Sequence, residues 1–154
     1  MKIINNVASE NRTISLGRPV TAPCLIPVIH ASTPNCVSNP FMVDGECYRV
    51  TALSFDSPHG VIIVDDVDSV DVPALGLSLG THPLFPKGAN IVFIQMLDKE
   101  TLKARLWQLD EGEIPFTSEA VCVAGTAAMM LQKILTGKAN VIMGGNEFQV
   151  CNST

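Results

Sequence analysis

The chain has 154 residues, 47% of them hydrophobic and only 16% charged, with a mean hydropathy of +0.30. Such a composition excludes a disordered chain and suffices for one ordinary core, so residues 1–154 are read as a single domain. The formal net charge is −5 and the ten Lys and Arg are scattered. No basic stripe exists to neutralise phosphates, which excludes nucleic acid as a partner.

No apolar run approaches the roughly 20 residues of a bilayer-spanning helix. Even Ala120 to Leu131 is too short, so no membrane association is expected. The opening Met1-Lys2-Ile3-Ile4-Asn5-Asn6 lacks a secretion signal's long apolar core. The five cysteines, Cys24, Cys36, Cys47, Cys122 and Cys151, are odd in number and contain no CxxC. Reduced thiols in a cytoplasmic chain are the expectation.

In chain order, Arg12 to Leu16 reads as a short strand ending at Gly17. Thr21 to Pro40 holds four prolines and reads as an irregular connector with a short strand at Leu25-Ile26. Phe41 to Val43 and Glu46 to Phe55 flank Asp44-Gly45, a pair suited to the positive φ angles of a tight hairpin turn. Val61 to Val64 is a continuous β-branched run, as in a strand buried on both faces.

A short helix is predicted from Asp71 as N-cap, through Pro73 in the first turn, to Gly80. Ile91 to Leu97 and Thr101 to Leu109 are predicted strands joined through Asp98-Lys99-Glu100. Ser118 to Leu135 is the principal helix, with Ser118 as N-cap, Glu119 at the positive end of the dipole and Gly137 at C′. It is apolar nearly all round, so other elements must enclose it. Val141 to Met143 and Phe148 to Val150 flank Gly144-Gly145 as a last hairpin.

Three stretches carry a family resemblance. Asp56-Ser57-Pro58-His59-Gly60 with the strand after it is similar to the Asn-Pro-His segment of diaminopimelate epimerases, members of a superfamily shared with proline racemases. His82-Pro83-Leu84-Phe85-Pro86-Lys87-Gly88-Ala89-Asn90 resembles their His-Pro-x-Phe-Pro-x-Gly-x-Asn segment. Leu106-Trp107, Gly112-Glu113, the long helix and Gly144-Gly145 resemble their last third. The match runs over about residues 12–150. It implies an α+β lobe: a curved, mostly antiparallel sheet wrapped around one central buried helix, the second of the family's two lobes. The family's enzymes are amino-acid racemases and epimerases that use one cysteine from each lobe and neither pyridoxal phosphate nor metal, so no cofactor is expected. Diaminopimelate epimerase serves lysine and peptidoglycan precursor synthesis. An amino-acid-like ligand, and either a first-lobe chain or a second copy of this one, are the partners this implies.

Carried over position by position, the second-lobe Cys-Gly-Thr-Gly-Ala-Cys motif falls on Thr117-Ser118-Glu119-Ala120-Val121-Cys122. Thr117 then stands at the catalytic-cysteine position, where its hydroxyl is too weak an acid to replace a thiol; alternatively it simply caps the helix. Ser118 and Glu119 fall where the backbone would approach a substrate carboxylate. Glu119 would repel that group, or else serves only as a dipole partner on a surface turn. Cys122 reads as a core residue. Gln108-Leu109 replaces a Glu-Arg pair, removing the carboxylate that works with the Asn-Pro-His histidine and the cation that binds substrate. Ser57 stands for the Asn of that segment. His59 is retained, either to orient a polar group or as a hydrogen-bonded structural residue. Asn90 is retained for substrate contact or caps a turn before its strand. His30, His59 and His82 have no metal-ligand spacing, and Asp65, Asp66, Asp68 and Asp71 read as a solvated turn. Two functions remain open: an isomerase lobe with a degenerate site, or an inactive lobe acting as a homodimeric ligand-binding or interaction protein.

Overall fold

The computed structural model describes residues 2–5, 12–15, 18–21, 26–28 and 36–151, the first two segments as backbone only. The strands are β1 (Lys2–Asn5), β2 (Arg12–Ser15), β3 (Asn39–Val43), β4 (Glu46–Ser54), β5 (Pro58–Ile63), β6 (Asn90–Met96), β7 (Thr101–Gln108), β8 (Gly112–Ile114), β9 (Lys138–Met143) and β10 (Asn146–Cys151). The helices are α1 (Val72–Gly80) and α2 (Ser118–Met130), with a 3₁₀ turn at Val67–Ser69. One sheet runs in the order β2-β1-β10-β9-β7-β6-β5-β4-β3, and β8 adds to β7.

Most pairings are antiparallel. The two parallel ones, β5 with β6 and β7 with β9, fall where a helix lies between the paired strands in sequence. Parallel neighbours need such a crossover, whereas a two-residue hairpin can join only antiparallel ones. Helix α1 makes the first crossing and α2 the second, and each packs on its own face of the sheet.

Alternation along the strands divides the core accordingly. Leu53, Val61, Val92, Leu106 and Val141 face α2, whose residues Ala120 to Ala128 are all buried. Phe41, Val50, Ile62, Phe93 and Trp107 face the other way, towards α1. Val61 and Ile62 thus lie in opposite cores, as their unbroken apolar run predicts. The sheet enclosing a helix that lacks a polar face is the expected α+β lobe.

Local chemistry explains most boundaries. Asp44 and Gly45 take φ of 49° and 83°, the turn predicted for that pair. Asp71 caps α1 through Ala74 N–H, and Pro73 lies in the first turn. Arg105 holds Glu113 with two bonds of 2.8 and 2.9 Å, while its third nitrogen donates to the Val67 and Val70 carbonyls. This fixes β8 and the 3₁₀ turn to β7 through one side chain.

Several sequence-based expectations need correction. The N-cap of α2 is Thr117, not Ser118: Thr117 is extended and its hydroxyl accepts from Ala120 N–H at 2.9 Å. The helix ends at Met130, short of Leu135, and Gln132 rather than Gly137 takes the left-handed turn, at φ 59°. Gln132 N–H bonds Met129 C=O and Lys133 N–H bonds Ala128 C=O, a Schellman closure that satisfies the last carbonyls. Burial of Ile134 explains why the apolar pattern continues past the helix. Ile26 lies in a turn rather than a strand, and Leu25 lies outside the described residues, as do Cys24 and His30. Strand β1 was not foreseen; it pairs with β10 from Lys2↔Cys151 to Asn5↔Phe148, so its partner is the most distant strand in sequence. Among the described residues no helix is long and apolar enough to cross a membrane.

Trp107 packs closely on α1, over two of its glycines. A Cβ at Gly76 would lie 2.4 Å from Trp107 Cγ, and one at Gly80 2.3 Å from Cζ3 and 2.7 Å from the Ala89 carbonyl. Overpacking of this kind costs about 1–3 kcal/mol. Gly76→Ala and Gly80→Ala should each lose that much in denaturation followed by Trp107 fluorescence. An unchanged midpoint in both would contradict the packing described.

Candidate functional site

Strands β5, β6 and β7 bring three predicted residues into one row. His59 stands beside Asn90 in the parallel β5–β6 register. Gln108 follows Trp107, the partner of Ile91, and so lies next to Asn90 across β6–β7. By alternation all three share the face of Val61, Val92 and Leu106, the face that carries α2. The row lies at the end of the sheet reached by the first turn of α2, where Thr117, Ser118 and Glu119 sit.

Glu119 joins the two elements. One carboxylate oxygen accepts from Asp56 N–H at 2.7 Å and Ser57 N–H at 2.9 Å; the other accepts from the Ser57 hydroxyl at 2.8 Å. The reading of Glu119 as a surface-turn dipole partner is therefore too weak. Its side chain is only 18% exposed and ties α2 to the bend before β5. His59 Nδ1 lies 3.9 Å from the same carboxylate and donates to the Ser57 carbonyl at 2.9 Å. That donation fixes the neutral tautomer with Nε2 as acceptor, and Nε2 is buried with no hydrogen-bond partner among the described residues. Gln108 Oε1 is a second buried acceptor without one.

The remaining residues are committed within the fold. Asn90 begins β6 and its Oδ1 accepts from Leu109 N–H at 2.8 Å, so it ties two strand ends together rather than capping a preceding turn. The Thr117 hydroxyl oxygen accepts the cap bond from Ala120 N–H. Ser118 is the first helical residue. Cys122 is fully buried and its thiol is pushed up to about 12 by burial, fitting the core role expected of it. Among the described residues no group of three or more His, Cys, Asp or Glu could hold a metal ion. A groove of about 640 Å³, lined in part by Thr51, Ile63, Asp65, Leu131 and Lys133, lies at the other end of α2 and includes none of the row.

The sequence named these residues as candidates but not their bonds. A carboxylate stands beside His59 although Gln108 cannot supply it, because Glu119 brings one from a different element. The Asp56 and Ser57 amides were missed altogether, since backbone donors leave no trace in residue type.

Burial lowers the His59 pKa, outweighing the Ser57 carbonyl and the Glu119 charge, which both raise it. For Glu119 burial acts upward, but the Ser57 and Asp56 amides, His59 and the Ser57 hydroxyl together hold it below the ordinary carboxyl value. Both groups are depressed on folding, so the unfolded chain takes up their protons first. Their contribution is complete above the ordinary values, 6.5 for His59 and 4.5 for Glu119, and is lost as pH falls through the lower folded ones. The stability deficit of Glu119→Gln relative to wild type should therefore shrink between pH 5 and about pH 3. A deficit independent of pH would contradict this. Thr117→Ala should cost about 1 kcal/mol through the lost cap, and Thr117→Ser far less.

No protein-family model matches the chain. It is similar to curated diaminopimelate epimerases: 32% identical to that of Leptospira biflexa over 138 residues, 90% of this chain and 48% of the relative. The Geobacillus sp. protein is 31% identical over 139 residues, 90% of this chain and 49% of the relative. The Pseudomonas aeruginosa protein is 37% identical over 117 residues, 76% and 42%. The chain thus spans about half the length of the relatives it matches. Among solved structures, a phenazine biosynthesis PhzC/PhzF protein from Clostridium difficile aligns over 62% of this chain and 34% of its own, with TM-score 0.48 and 14% identity.

Proposed function

We propose, from the chain's kinship with the diaminopimelate epimerases, that it is one lobe of a cofactor-independent amino-acid isomerase, with a site that no longer exchanges protons on its own. Racemisation without a cofactor needs an acid and a base on opposite faces of the α-carbon. The half-length match and the resemblance to a second lobe support a reading in which this chain supplies one face. The observation that carries the reading is at Thr117: the residue at the thiol position uses its hydroxyl to cap α2. A threonine hydroxyl at neutral pH is in any case a poor proton donor and acceptor beside a thiol.

Glu119 and Gln108-Leu109 extend the argument. The relatives' substrate carries an α-carboxylate, and Glu119 places a competing carboxylate at the end of α2 where it would bind. No guanidinium follows Trp107 to offset it. The partner on this reading is a first-lobe chain, and the setting is cytoplasmic amino-acid metabolism, with lysine and peptidoglycan precursor synthesis as the context implied by family. A second reading is favoured by the same substitutions: a homodimer of inactive lobes binding a small ligand between them.

Incubation with diaminopimelate and a panel of amino acids in deuterated water tests the proposal. The chain alone should give no α-deuterium incorporation. Adding the complementary half of the Leptospira biflexa enzyme should give incorporation only once Thr117→Cys restores a thiol and Glu119→Thr with Leu109→Arg reopens the carboxylate site. Incorporation by the wild-type chain alone would refute the degenerate-site reading. None with the Thr117→Cys/Glu119→Thr/Leu109→Arg variant in a complex shown to form would refute the isomerase-lobe reading and leave the homodimer.

A further inference from the structure

We propose that the Asp56 and Ser57 N–H groups with the Ser57 hydroxyl form a binding site for a small carboxylate, and that Glu119 keeps it filled from within the chain. Three donors from adjacent residues converge on one carboxylate at 2.7, 2.9 and 2.8 Å. The acceptor comes from 62 and 63 positions away in sequence, so the donors are not arranged by local helix or turn pairing with Glu119. The frame that holds them is independent of it: β4 and β5 pair on both sides of the bend, from Ser54↔Pro58 to Thr51↔Val61. His59, 3.9 Å from the carboxylate and only 1% exposed, closes the pocket from the sheet side.

Converging amide and hydroxyl donors in a half-buried place favour an anion strongly. Left unfilled, the part-buried Ser57 amide would be a donor without a partner, which folded chains avoid, while the exposed Asp56 amide would turn to water. Deleting the Glu119 side chain beyond Cβ removes one methylene and one carboxylate, a group of the size and charge of acetate. The emptied pocket should then take acetate or formate from solution. With Glu119 present it refuses them, which makes Glu119 the residue that sets this end of α2 against anionic ligands. The inference rests on the geometry alone and is independent of whether the chain is part of an isomerase.

The test is an acetate titration of full-length Glu119→Ala at constant ionic strength, with chloride as control, followed by amide NMR. Saturable shifts of the Asp56 and Ser57 amides, and a rise in melting temperature, are expected in the variant and absent in wild type. No shift in the folded variant, equal shifts in wild type, or shifts only at scattered surface amides would each overturn the proposal. Should Glu119→Ala not fold, Glu119→Gln keeps the volume and one acceptor while losing the charge. Hydrogen exchange at the Asp56 and Ser57 amides should then be about tenfold faster than in wild type. Unchanged exchange would overturn the proposal equally.

Discussion

A helix without a polar face exists in water only when something surrounds it, and α2 is such a helix: Ala120 through Ala128 are all buried. The sheet must bend around it, and the sheet supplies this with strands from both ends of the chain, β1 and β10 on one side and β4 and β5 on the other. Small residues let the enclosure close. A Cβ at Gly125 would approach Val150 to 2.9 Å, so β10 lies almost against the helix backbone. With its flanks sealed, α2 meets polar surroundings chiefly at its ends.

Those two ends are handled differently. At the C-terminus the carbonyls are closed by a Schellman pattern through Gln132 and Lys133, entirely within local sequence. At the N-terminus one amide goes to Thr117, while Glu119 turns outward to satisfy the donors of a distant bend. That end is therefore filled by the chain's own carboxylate. Here a side chain of the helix itself stands at the place, and the polar row of His59, Asn90 and Gln108 is drawn into bonds that hold strand ends together or remains buried. Glu119 therefore contributes structure, linking α2 to the bend before β5 across more than sixty residues of sequence.

Much of this was legible in the residues because period, turn chemistry and capping are local. The Asp44-Gly45 hairpin, the Asp71 cap and the doubly buried β5 follow from neighbours within a few positions. The end of α2 did not, since Leu131 and Ile134 continue the apolar pattern while the backbone has already turned at Gln132. Strand β1 was invisible for the opposite reason: Lys2–Asn5 has little pattern of its own and exists as a strand by pairing with β10. At the candidate site, the resemblance pointed to these positions, but it described Glu119 only as a substitution. Its three bonds depend on where β4 and β5 turn relative to α2, a tertiary fact that no spacing encodes.

The claim on which these relations depend is that the N-terminal end of α2 is occupied by its own chain. A crystal structure of the wild-type protein grown with a high concentration of diaminopimelate tests it most directly. The account predicts the Glu119 carboxylate within hydrogen-bond distance of the Asp56 and Ser57 amides, with no ligand carboxylate there. A ligand carboxylate on those amides, with Glu119 turned away into solvent, would contradict it.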